Sequence, residues 1–229
     1  MAVAAGAGGA VPDRLVALPG VYRPQADSRL LEAAVAREDI GPGRSVLDIG
    51  TGTGVVALRA AESGAAVTAV DASWAAVLAA WLNARLRRLP VKVRHGDFAV
   101  RAGRGPRYDF VLANPPYVPS PDAALPVRGE RRAWDAGGDG RAVIDPICAA
   151  APTLLRPGGV LLMVHSAMCD SERTLAMLAR GGISARVEVR RRIGWGPVLR
   201  GRRAWLTEQG FAAPGEDREE LVVIRGRYA

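Results

Sequence analysis

From Ser45 onward, short apolar runs alternate with helical patterns, and this alternation limits the fold more than any other feature of the chain. The runs SVLDI (45–49), AAVTAVD (65–71), VKVRHGD (91–97), YDFVLANPPY (108–117) and VLLMVHS (160–166) read as buried strands. ISARVEVRRR (183–192) and EELVVIRGRY (219–228) read as two more. Between them, GVVALRAAESG, SWAAVLAAWLNARLRRLP, RAVIDPICAAAPTLLRPGG and SERTLAMLARGG carry helical spacing. Ser73 stands at the N-cap position of the second of these, and Pro90 closes it. Strands that alternate with helices form right-handed βαβ units. The expected fold is α/β, a seven-stranded, mostly parallel, doubly wound Rossmann-like sheet. The connection over 193–218 shows no clear helix, so the last strand is expected to be antiparallel. One domain over 20–229 is expected, with a helical lead-in at 20–44 after a disordered start at 1–19.

A chain of 229 residues is long enough for such a domain, and 49% hydrophobic residues with mixed charge exclude a disordered polymer. Lys92 is the one lysine among 31 basic residues, so arginine carries the net charge of +8. That balance favours anionic partners only through non-specific attraction, and arginines spread over a solvated surface account for it as well. Cys148 and Cys169 lack metal-ligand spacing and read as buried free thiols in a reducing compartment. No run approaches the ~18 apolar residues of a spanning helix. The opening MAVAAGAGGA lacks the basic segment of a signal peptide. A cytoplasmic protein with no membrane partner is expected.

Ligands of open α/β sheets bind beyond the carboxyl ends of the strands. There, the first strand runs into DIGTGTG, with Asp48 before Gly50, Gly52 and Gly54. Glycines permit a tight turn and close approach to the backbone. The spacing is G-x-G-x-G, and a carboxylate at Asp48 repels a pyrophosphate but suits an ammonium group. Asp71 ends the second strand about 20 residues on, where a carboxylate takes ribose hydroxyls. Asp97 follows the third strand, where it could accept from an exocyclic amine, and Phe98 could lie against a purine. Each acid alone reads equally as an N-cap or a turn residue. All three at successive strand ends imply a ligand with an amino-acid end, a ribose and an adenine, which S-adenosylmethionine satisfies.

The fourth strand leads into Asn114-Pro115-Pro116-Tyr117. Two prolines stop the strand ladder, and the first holds Asn114 extended. The segment is a stiff turn at least. The Asn114 side-chain carbonyl and the Pro115 backbone carbonyl are acceptors, and neither proline brings a competing N–H. His95 and His165 lie in apolar strands and read as structural. The RGERR run (128–132) reads either as a solvated loop or as a guide for an acidic partner. Trp74 is a candidate for stacking on adenine or a plain surface ring.

With these residues in place, the chain resembles the class I S-adenosylmethionine-dependent methyltransferases. Asn114-Pro115-Pro116-Tyr117 resembles the [DNS]-P-P-[YF] motif of those that methylate planar nitrogens. GVYRPQADSRLL (20–31) and WDAGGDGRAVID (134–145) resemble the HemK-like release-factor glutamine methyltransferases, in particular their short branch without an N-terminal helical domain. The resemblance implies that S-adenosylmethionine is held by Asp48, Gly50, Gly52, Gly54, Asp71, Asp97, Phe98 and Ser28, with Asn114 alongside. It implies that Tyr22, Pro24, Asn114, Pro115, Pro116 and Tyr117 meet the substrate, and that Asn114, Pro115 and Tyr117 carry the chemistry. No metal is implied. The implied substrate is the glutamine of the Gly-Gly-Gln loop of a translation release factor; whether a small activating subunit is a further partner stays open in the sequence. Methylation of adenine or guanine amino groups in RNA or DNA is the alternative, and a non-catalytic cofactor-binding subunit a third reading.

Overall fold

The computed structural model describes residues 15–101, 105–122, 124–127 and 129–229. Of the start expected to be disordered, residues 1–14 lie outside this description, as does Arg128 of the RGERR run. The strands are β1 (Ser45–Ile49), β2 (Ala66–Asp71), β3 (Val91–His95), β4 (Tyr108–Ala113), β5 (Leu155–Ser166), β6 (Ile183–Gly194) and β7 (Arg218–Tyr228). The helices are α1 (Ala26–Val35), α2 (Val55–Glu62), α3 (Trp74–Leu86), α4 (Phe98–Arg101), α5 (Ile144–Leu154), α6 (Ser171–Arg180), α7 (Pro197–Gly201) and α8 (Arg203–Glu208). The strands form one seven-stranded sheet in the order β3-β2-β1-β4-β5-β7-β6. β7 is antiparallel to both its neighbours and the remaining pairings are parallel, as expected.

The near-continuous apolar runs of β1, β4 and β5 follow from burial on both faces. Val46, Phe110, Leu112 and Leu162 pack with α1 and α2 on one side. Leu47, Val111, Leu161 and Met163 pack with α5 and α6 on the other. β6, at the sheet edge, alternates instead. Ile183, Ala185, Val187 and Val189 turn inward while Arg186, Arg190 and Arg192 are exposed. Charged side chains along an edge strand discourage pairing with another chain, which accounts for the arginine-heavy sequence there.

Three boundaries differ from the sequence reading. α5 stops at Leu154, and Leu155 already pairs with Tyr108 in the sheet, so the RPGG segment belongs to β5 rather than to the helix. A Cβ at Gly159 would lie 3.0 Å from the Tyr108 carbonyl, so the chain can turn there only without a side chain. The 193–218 connection contains two short helices, α7 and α8. Their apolar face carries Leu199 and Leu206, which join Trp195 and Val118 in a small separate core. Helix occupies only Ala26–Val35 of the lead-in. Residues before it are tied down by buried Asn83, whose amide pairs with both the N–H and the carbonyl of Val16 and also donates to the Thr53 carbonyl. No helix among the described residues is long and apolar enough to cross a membrane.

Candidate active site

β1 and β4 are neighbours, while β2 and β3 continue to one side and β5 to the other, so the strand order reverses between β1 and β4. A crevice opens beyond the carboxyl ends of the strands at such a point. Here it is a cavity of about 1220 Å³. It is lined by Tyr22, Pro24, Ser28, Asp48, Gly50, Gly52, Asp71, Asp97, Phe98, Asn114, Pro115, Pro116 and Tyr117. Every candidate from the sequence except Gly54 is therefore on its wall. Gly54 faces α3, where an added Cβ would stand 3.1 Å from the Ala80 Cβ. Its φ of +84° also favours glycine. Gly54 serves the packing of α2 on α3, not the cavity.

The glycine loop is held from both sides. Gly50 and Thr51 N–H donate to the Val70 carbonyl at 2.9 and 3.1 Å, and Gly54 N–H to the Thr51 carbonyl at 2.8 Å. A Cβ at Gly50 would meet nothing within 4 Å, so this glycine looks onto open space. Asp71 accepts from Gly52 N–H at 3.0 Å and from Ser73 N–H at 2.8 Å, tying the loop to the start of α3. The Ser73 side chain makes no cap bond, contrary to the sequence reading; its N–H is held by Asp71 instead. Burial pushes the Asp71 carboxyl upward against these two N–H groups. Asp48 is buried and takes the Thr51 hydroxyl at 2.6 Å. Burial pushes its carboxyl up to about 7, with Asp71 adding repulsion. A buried acid, Asp48, beside a half-buried one, Asp71, suits a ligand that brings positive charge and hydroxyls. Asp97 is exposed and accepts from Ala99 N–H at 2.9 Å, the N-cap role, with Phe98 beside it on the wall.

Beside the glycine loop, at the end of the neighbouring strand, Asn114 leaves β4 with its Nδ2 donating to the Ser28 hydroxyl at 3.2 Å. Ser28 is thus engaged with the loop rather than free for a cofactor carboxylate. Both Tyr117 OH, at 3.2 Å, and Tyr22 OH, at 3.0 Å, donate to one oxygen of Asp27. Burial first, and then Asp27, raises both phenols well above their ordinary range, so they stay protonated donors. Asp27 lies in the segment 20–31 quoted above, but sequence reasoning gave it no role. Glu219 at the start of β7 was missed as well: it is buried, and burial followed by Ser166 and Asp27 leaves its carboxyl at about 7.

The segment 134–145 braces this loop from behind. Val118 N–H donates to the Trp134 carbonyl at 2.8 Å and Ala136 N–H to the Val118 carbonyl at 3.0 Å. Gly140 has φ +71°, and a Cβ there would sit 2.5 Å from the Tyr117 carbonyl and 2.8 Å from Cys169 Sγ. Cys169 donates its thiol to that same carbonyl at 3.0 Å. Arg141 is buried and ties the brace to α6, donating to the Asp170 carbonyl at 2.8 Å and to Thr174 Oγ1 at 3.0 Å. From the α7–α8 segment, Arg202 donates to the Pro119 carbonyl at 2.9 Å and pairs with buried Asp135 at 2.5 Å. Arg131 of the RGERR run takes the other Asp135 oxygen at 2.7 Å, while Arg132 lines the cavity. His165 is buried, held by the Ser166 carbonyl and Thr174, and pushed down to about 4 by burial. It is the structural histidine expected. His95 stacks on Trp74 with centroids 4.0 Å apart, and Trp74, 69% exposed, borders the cavity. No group of three or more His, Cys, Asp or Glu among the described residues could hold a metal.

Residues 14–127 match the family model described as "Methyltransferase small domain". The chain is 40% identical over 151 residues to a release factor glutamine methyltransferase of Xylella fastidiosa, covering 62% of this chain and 54% of that protein. It is 30% identical over 177 residues to a Methanocaldococcus jannaschii protein provisionally named a protein N5-glutamine methyltransferase, covering 76% of this chain and 87% of that one. The chain spans about half the length of several of its bacterial relatives, 54% in the Xylella case. Among solved structures, the E. cuniculi Mtq2–Trm112 complex responsible for methylation of the termination factor eRF1 matches with TM-score 0.57 at 23% identity, covering 92% of this chain and 99% of that one. A Thermus thermophilus 16S ribosomal RNA guanine-N2 methyltransferase, solved with S-adenosylmethionine and guanosine, matches with TM-score 0.60 at 21% identity, covering 93% and 46%. At these identities the structures show the fold alone. On the extent of its match to the Methanocaldococcus protein, the chain belongs to the protein N5-glutamine methyltransferase family that includes the release factor enzymes.

Proposed function

We propose that this chain is a cytoplasmic methyltransferase that transfers a methyl group from S-adenosylmethionine to the side-chain amide of glutamine in the Gly-Gly-Gln loop of a translation release factor. The observation that carries the reading is the Asn114–Tyr117 segment on the cavity wall beside the glycine loop, with an Asn114 N–H already committed to Ser28. The cavity fits the cofactor: Gly50 opens onto it without obstruction, and Asp48 is a buried acid in want of a cation. Asp48, Gly50 and Gly52 would hold the methionine end, Asp71 the ribose, and Asp97 with Phe98 the adenine. Bound there, S-adenosylmethionine supplies an electrophilic methyl group on a sulfonium.

An amide nitrogen is a poor nucleophile because its lone pair is delocalised into the carbonyl. The protein can contribute position and electrostatics. The Asn114 side-chain carbonyl and the Pro115 carbonyl accept the two N–H groups of the substrate amide and orient its lone pair. The same acceptors stabilise positive charge as it develops on nitrogen. The protonated product amide is strongly acidic and loses its proton without a dedicated base. Tyr117 and Pro116 pack against the planar substrate, and Tyr22 and Pro24 form the near wall.

A small activating subunit is part of the same reading. Trp74, Leu78, Trp81 and Leu86 of α3 are exposed large apolar side chains, and β3 beside them ends the sheet. Such a face favours a protein partner. Nucleic-acid amino groups present the same planar –NH2, and the exposed arginines of β6 make RNA or DNA the competing substrate. Asn114→Ala is expected to lower kcat by about a hundredfold or more while S-adenosylmethionine affinity stays within about threefold. Equal loss of affinity and turnover would remove Asn114 from this role.

A further inference from the structure

We infer that Asp27 is the positioning residue that sets which way the Asn114 amide faces. This rests on the methyl-transfer reading above for its functional consequence, but its structural content does not. Asp27 lies in the first turn of α1 and is only 3% exposed. One carboxylate oxygen takes the two phenols, and the other takes Ser28 N–H at 2.6 Å and the Ser28 hydroxyl at 3.3 Å. Ser28 Oγ in turn faces Asn114 Nδ2 at 3.2 Å.

The logic is one of proton counting. An asparagine amide has the same shape in both orientations, so only its partners decide which end faces the substrate. A serine hydroxyl has one proton, and an ionised carboxylate can only accept. The Ser28 hydroxyl donates it to Asp27 Oδ1. Ser28 then has only lone pairs to offer, so Asn114 must turn its NH2 toward Ser28 and its carbonyl toward the other side. That carbonyl is the acceptor the substrate amide needs. Without Asp27, the Ser28 hydroxyl is free to donate to Asn114, and the flipped amide would set an NH2 against the substrate's own NH2. Asp27 also holds Tyr117 directly, so one carboxylate fixes two members of the substrate wall.

The sequence offers a direct readout, since Asn83 and Asn114 are its two asparagines. Protein labelled with nitrogen-15 in the asparagine side chain gives two amide pairs in a proton–nitrogen correlation spectrum, assigned by Asn114→Asp. In Asp27→Asn, whose new third pair is told apart by its absence from the wild type, and separately in Ser28→Ala, the Asn114 pair is expected to move while the Asn83 pair stays in place. Turnover in Asp27→Asn should fall about a hundredfold, with S-adenosylhomocysteine affinity kept within about threefold. An unmoved Asn114 pair in both variants would overturn the inference, and so would turnover and affinity falling together. The spectrum needs no substrate, so failure of the wild-type protein to methylate a release factor would be seen separately.

Discussion

Glu219 should make the protein less stable as the pH rises through neutrality, and replacing it with glutamine should reverse this. The side chain is 8% exposed, and its Oε2 has no hydrogen-bond partner among the described residues. Burial, with repulsion from Asp27, raises its carboxyl from 4.5 to about 7 in the folded chain, although Ser166 lowers it in part. The folded state therefore keeps a proton that the unfolded state has already released between these two values. Stability falls with pH across that window, and the penalty is complete above about 7 and absent below 4.5. At 1.36 kcal/mol per pKa unit the penalty is on the order of 3 kcal/mol. Glutamine must still satisfy its own amide, so a gain of ~1–3 kcal/mol is expected, or roughly 2–10 °C in Tm for a chain of this size. Thermal unfolding of Glu219→Gln beside the wild type at pH 8 and pH 4 measures it. A gain at pH 8 that vanishes at pH 4 is the expected result. An equal gain at both values, or a gain only at pH 4, would refute the reasoning.

Gly140→Ala should be severely destabilising, because φ is +71° and the new Cβ would sit 2.5 Å from the Tyr117 carbonyl. A loss of about 2–4 kcal/mol is expected in urea unfolding, together with loss of turnover, since the same carbonyl anchors the substrate loop. Cofactor affinity should follow Asp48. Its carboxyl lies near 7 in the free protein and must ionise to hold an ammonium group, so S-adenosylhomocysteine binding should weaken up to tenfold per unit below pH 7 and level off above it. Titration calorimetry in buffers of different ionisation enthalpy should detect proton release at pH 6, and Asp48→Asn should abolish it.

Much of this arrangement was legible from local chemistry. Apolar runs ending on Asp48, Asp71 and Asp97 located the cavity because the direction of a parallel strand is readable from the helix that follows it. Two prolines after β4 marked where the sheet stopped. What stayed hidden was contact between distant segments. Asp27 meets Tyr117 across 90 positions and Asn114 meets Ser28 across 86, and no local pattern announces such pairs. Gly54 followed the glycine spacing yet packs on Ala80, because a tight turn and a close helix approach call for the same residue. The α7–α8 segment read as a plain connection because its helices are one or two turns long and their amphipathic pattern is correspondingly short. Its purpose appears only when Arg202 reaches Asp135 and the Pro119 carbonyl.

The central claim is the identity of the acceptor nitrogen. The direct measurement is transfer of a labelled methyl group from S-adenosylmethionine, with purified release factor, its Gly-Gly-Gln→Gly-Gly-Ala variant, total tRNA, ribosomal RNA and DNA offered in parallel. Label on the wild-type factor, absent from the variant and from the nucleic acids, is the result this account predicts. Label confined to nucleic acid, or equal label on both forms of the factor, would contradict it.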